Sequence, residues 1–140
     1  MKHLSLTITC AVLAAALPAS GQAAGRATDR APDAQLARAL EGRVAGDPVD
    51  CIPLRSIRSS RIIDKTAILF EGPGDVLYVN YPDAGAEALD NWAVQVTDTR
   101  SSRLCSIDTV HLYDHNFNSF AGVVFLGKFV PYRKVAAAAH

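Results

Sequence analysis

The sequence predicts a mainly β domain, a small antiparallel barrel or sandwich of about six strands with one N-terminal helix. Three observations carry that expectation. After Cys51 the chain breaks into short β-branched runs separated by turn residues, the spacing of a small all-β fold. Before Cys51 a single stretch shows helical periodicity instead. The chain has 140 residues, and once an apolar N-terminal segment is set aside there is room for one core and not two.

That N-terminal segment reads as an export signal over residues 1–23. Met1-Lys2-His3 is a short positive start, Leu4 to Leu17 is an apolar run, and Pro18 breaks it. The small residues from Ala19 to Ala24 suit signal peptidase, with cleavage expected after Ala23 and with Gly21 and Ala24 as nearby alternatives. The run falls short of the ~20 residues that span a bilayer, and no later segment is apolar enough to do so. Cys10 makes a poor lipidation site, because most of the apolar run follows it. The expectation is a periplasmic or secreted protein of about 117 residues with no transmembrane segment after cleavage.

Residues 24–32 are small and polar, a flexible lead-in. A single domain then spans 33–135. Asp33, following Pro32, is placed to cap a helix over 33–45, in which Leu36, Ala37, Leu40 and Val44 form one apolar stripe. Gly46 and Pro48 end it. One narrow stripe and an internal Gly42 predict a helix on the domain's surface.

The β region runs from 51 to 132. Ser56 to Ile63 reads as the first strand and Ala67 to Phe70 as the second. Gly72-Pro73-Gly74-Asp75 is a turn into a third, Val76 to Asn80. After a loop opening at Tyr81-Pro82, Trp92, Val94 and Val96 alternate with Ala93, Gln95 and Thr97, the period of a strand with one buried face. Val110 and Leu112 alternate with His111 and Tyr113 in the same way. Val123 to Leu126 is almost continuously apolar, which predicts a strand covered on both faces. Residues 136–140 form a small-residue tail with no packing face.

Charge narrows the partners. Basic and acidic residues are equal in number, and loss of Lys2 with the signal leaves the mature chain near −1. That balance offers nothing to nucleic acid, a membrane surface or a polyanion. The partner classes left are an envelope protein or a small ligand, and no cofactor is implied.

Cys51 and Cys105 remain after the signal is removed. In an exported chain such a pair favours a disulfide, with buried free thiols and a reactive or metal-binding pair as the alternatives. A bridge would close a loop of about 55 residues and contribute about 4 kcal/mol in the chain-entropy account.

The runs around these cysteines carry a family resemblance. Cys51-Ile52, Ile57-Arg58-Ser59-Ser60-Arg61-Ile62-Ile63-Asp64, Tyr78-Val79-Asn80, Ser102-Arg103-Leu104-Cys105 and Leu126-Gly127-Lys128-Phe129-Val130-Pro131-Tyr132 occur in that order. Together they resemble a family of small exported bacterial proteins known as domain of unknown function 6491. The resemblance covers roughly Cys51 to Tyr132 and implies an exported, cysteine-bridged domain with no catalytic residues. This chain departs from the family's pattern in lacking a cysteine in the loop Pro82 to Glu87 and another near Val124, as loss of a second bridge would look. Ile107 stands where a glycine is expected between Cys105 and Asp108.

Few residues point to chemistry. On a strand, His111, Tyr113 and His115 face one way, so both imidazoles and the phenol have one outward site in reach. Two histidines are short of the ligands that zinc or copper needs, and a polar outer face opposite Val110 and Leu112 accounts for them without a metal. Arg55, Arg58, Arg61 and Lys65 form a basic run, but a spacing of three sends strand side chains alternately to opposite faces. Ser59, Ser60, Ser101 and Ser102 lack the strand–turn–helix context of a hydrolase nucleophile. Gly72-Pro73-Gly74 is too short for a phosphate loop. Core packing accounts for most of the late aromatics Phe117, Phe120, Phe125, Phe129 and Tyr132, while Phe117 and Phe120, set among Asn116, Asn118 and Ser119, are the candidates for an exposed binding loop.

The expected function is therefore a non-catalytic exported β domain that binds a partner or supports the cell envelope, with Phe117 and Phe120 in contact. The alternative is a periplasmic metal-binding protein or metal-dependent enzyme using His111 and His115.

Overall fold

Helix, turn and strand follow one another within fifteen residues at the start of the domain. The computed structural model describes residues 30–99, 101–116 and 119–135. The expected signal peptide, most of the lead-in, Phe117 and the tail 136–140 lie outside them. Helix α1, Pro32–Leu40, begins with Pro32 in its first turn, where a missing N–H costs nothing. Ala31 is the N-cap and Asp33 sits inside the first turn, so the expected aspartate cap is replaced by favourable charge at the positive helix end. The helix also stops earlier than its apolar stripe suggests. Gly42 takes φ +67° and turns the chain into a short strand, β1, Arg43–Ala45. Val44 consequently lies on β1 and is exposed, while Leu36, Ala39 and Leu40 pack inward.

Nine further strands follow: β2 Cys51–Pro53, β3 Ser59–Ile63, β4 Ala67–Glu71, β5 Leu77–Asn80, β6 Ala93–Asp98, β7 Arg103–Cys105, β8 Thr109–Asp114, β9 Phe120–Phe125 and β10 Phe129–Lys134. The mainly β expectation holds, with ten described strands where about six were expected. The extra ones are chiefly three-residue pieces, too short to show a period. Every named pair is antiparallel. The strands form three sheets: five-stranded β1-β10-β5-β4-β3, two-stranded β2-β7 and three-stranded β6-β8-β9. The arrangement is sandwich-like; none of the three sheets closes on itself.

The five-stranded sheet is the middle layer, which explains why β4 is buried at Ala67, Ile68, Leu69 and Phe70 in succession. Ala67 and Leu69, with Ile63, Leu77 and Val79, face α1 through Leu36, Ala39 and Leu40. Ile68 and Phe70 face the other way, into a larger core shared with Ile52, Leu104, Val110, Leu112, Val124, Leu126 and Phe129. That second core takes side chains from all three sheets. Burial of each such residue is worth roughly 1.5–3 kcal/mol, so this core is what joins the sheets.

Candidate functional site

The register of β6, β8 and β9 decides which side chains share a face. Opposite residues in an antiparallel pair point the same way. Val96 pairs with His111, Val94 with Tyr113 and Gln95 with Leu112. Across the next pair His111 meets Val123, Thr109 meets Phe125 and Tyr113 meets Phe120 past a register shift. Val110, Leu112 and Val124 are fully buried, so their alternates face outward. The outward face is thus Val94, Val96, His111, Tyr113, Phe120, Val123 and Phe125.

This reverses one expectation. The alternation of β6 is present, but its valines lie outside and Ala93, Gln95 and Thr97 face the core. Leu112 and Val110 fill the core opposite Gln95 and Thr97, so small and polar residues suffice on the inner side of an edge strand. A second expectation also changes. The strand over Val123 is covered on one face only, since Val124 is buried while Phe125 is 52% exposed.

The result is an apolar surface that the described residues leave uncovered. Val94 is 44% exposed, Val96 48% and Phe120 59%, and Trp92, in the turn before β6, is 73% exposed. A shallow hollow of about 470 Å³ lies against Val94, Val96, Tyr113, Asp114 and His115. Phe120 is packed over the strand beside it: its ring centroid is 5.9 Å from that of Tyr113, edge to face, and 6.3 Å from that of His111. Such pairs hold aromatic rings in fixed positions on a surface. Among the described residues strand β6 pairs on one side only, with β8, and it carries neither proline nor any charge before Asp98. Proline and charge are the usual guards of a free edge.

Of the candidates singled out from the sequence, His111, His115 and Phe120 fall on or beside this face. His111 lies within it, half-buried, and His115 is exposed in the turn after β8. Among the described residues no group of three or more His, Cys, Asp or Glu is placed to share a metal ion. Phe120 opens β9 at the end of the loop that the sequence singles out. Val94, Val96 and Phe125 were missed as surface residues, because strand alternation gives two faces without saying which one is buried. Elsewhere, burial and then the Tyr132 hydroxyl raise the Tyr81 phenol above its ordinary pKa. Ser101 Oγ donates to the Arg103 carbonyl at 3.1 Å and accepts the Arg103 N–H at 3.2 Å, as in a turn.

Cys51 and Cys105 are register partners in β2–β7 and form a disulfide. The neighbouring Ile52 and Leu104 are 1% exposed and belong to the shared core. Asp108 closes the following turn by accepting the Cys105 N–H at 2.7 Å. Ile107, in that turn, takes no positive φ and is 89% exposed, so no glycine is required there. The two places where the resemblance expects further cysteines are neighbours. Phe125 N–H donates to the Ala84 carbonyl at 3.0 Å, and a Cβ at Gly85 would lie 3.1 Å from Val124 Cα.

Comparison of the chain with protein-family models, with curated proteins and with solved structures gave no match.

Proposed function

We propose that this chain is an exported, non-catalytic β domain that binds a protein partner through the outer face of β6, β8 and β9. The observation that carries the reading is the contiguous exposure of Val94, Val96, Phe120 and Phe125 across three paired strands. A soluble domain keeps a face of that kind uncovered chiefly where something else covers it. Aromatic anchors such as Phe120 and Tyr113, held by their own ring contacts, suit the centre of an interface. Export is supported by the disulfide, which belongs to an oxidising compartment. Among the described residues no helix is long and apolar enough to cross a membrane.

Site-specific photo-crosslinking in the exporting cell tests this reading. A crosslinker at Val96 is expected to give a discrete adduct, one at exposed Arg55 none, and Phe120→Ser should abolish the Val96 adduct without changing the circular dichroism. Identical adducts from both positions, or an adduct indifferent to Phe120→Ser, would remove the reading. An adduct of twice the chain's mass would identify the partner as a second copy.

A further inference from the structure

Cations gather on the opposite side of the molecule. Where α1 leaves the helix side of the five-stranded sheet uncovered, a cleft of about 190 Å³ is lined by Arg43, Arg58, Arg61, Glu71 and Asp75, with Ala39 of α1 as one wall. Arg43 and Arg61 come from the two edge strands of that sheet, β1 and β3. Parity sets both on this face. Arg61 lies two residues before Ile63, which packs toward α1, and Arg43 pairs with Lys134, two residues beyond Tyr132 on the same side. Arg38 of α1 lines an adjoining hollow together with Arg61. The spacing of Arg58 and Arg61 in sequence argued against a single patch. The fold makes one by adding arginines from α1 and β1.

Asp75 organises this cluster without neutralising it. Its carboxylate lies 3.3 Å from Lys134 Nζ and 3.9 Å from Arg58 Nη2, and its backbone carbonyl accepts from Arg43. Arg58 Nη2 also donates to the Gly72 carbonyl at 2.8 Å. These pairs are solvated and contribute little stability. Their effect is positional: two guanidinium groups are held beside the cleft by the turn that carries Asp75. The Arg61 guanidinium makes no hydrogen bond or ion pair with any described residue. A fork of that kind fits the paired oxygens of a carboxylate or phosphoryl group.

We propose that this cleft binds a small ligand through an oxyanion group, phosphoryl or carboxylate, with Arg61 as the free fork and Arg43 and Arg58 as pre-positioned donors. Glu71 in the same wall sets an upper limit on negative charge and disfavours a polyanion running the length of the cleft. The site is independent of the apolar face, which lies beyond the other sheets.

The test is calorimetric titration of the purified protein with inorganic pyrophosphate and, separately, with citrate, at one fixed ionic strength. Saturable one-to-one binding of at least one anion is expected, weakened tenfold or more by Arg61→Gln and less by Arg61→Lys. Arg55→Gln, outside the cleft, should leave it unchanged. Pyrophosphate alone would identify a phosphoryl site, and citrate alone a carboxylate site. Absence of saturation by either up to ~10 mM overturns the proposal. So does equal binding by whichever Arg61 variant folds, as does equal weakening by Arg55→Gln, which would mark general charge screening.

Discussion

Asn80 shows how much one side chain can decide. It is the one polar residue among the fully buried described side chains, and it spans 47 residues to reach Gly127. Its Nδ2 donates to the Gly127 carbonyl at 2.6 Å, and its Oδ1 accepts the Gly127 N–H at 3.2 Å. Gly127 must be glycine, because a Cβ there would lie 2.2 Å from the Tyr81 carbonyl oxygen. The pair thus pins the turn between β9 and β10 to the end of β5. Asn80→Ala leaves a buried N–H and C=O without partners, at about 1–3 kcal/mol each. Urea unfolding should show a loss of about 3 kcal/mol, and a loss below about 1 would mean that water replaces the amide. None of this was legible in the sequence. Asn80 reads there as the last residue of a strand, and nothing local announces a partner so distant.

Among the elements, legibility followed length and burial. The strands β3, β4, β5 and β8 are legible in their residues because four to six residues suffice to show a period or a continuous apolar run. The boundary between α1 and β1 was misread because Val44 continues the helical stripe, while the positive φ at Gly42 overrides it. Strands β2 and β7 are three residues each and show no pattern at all. Their two-stranded sheet is marginal on its own terms, and it persists through the disulfide and through Ile52 and Leu104 in the shared core. Replacing both cysteines by serine should therefore cost up to about 4 kcal/mol, through loss of the constraint on the unfolded chain. Hydrogen exchange gives the sharper reading. Amides of Ile52 and Leu104 are expected to lose protection more than those of Ile68 and Val79 in the middle sheet. Uniform loss across all four would mean that β2–β7 does not open separately.

At the scale of the molecule the layers give different chemistry to different surfaces. The helix side of the middle sheet ends in the arginine-lined cleft, and the far side of the three-stranded sheet ends in the apolar face. Between them a single core draws on β2, β3, β4, β7, β8, β9 and β10, so no sheet buries its apolar side chains alone. With the disulfide in place such a core does not lose one sheet and leave the others intact, which makes one cooperative unfolding transition the expected behaviour. Differential scanning calorimetry should give a calorimetric enthalpy equal to the van't Hoff enthalpy. A ratio well above one would show that the three-stranded sheet unfolds by itself. The apolar face bears on the same measurement. Val94 and Val96 are about half exposed in the folded chain, so Val96→Asp should cost no more than about 1 kcal/mol, the span of strand propensity. A substitution that would be ruinous if the valines faced inward is then tolerated. A large fall in the midpoint would instead place Val96 in the core and withdraw the surface on which the proposal of partner binding rests.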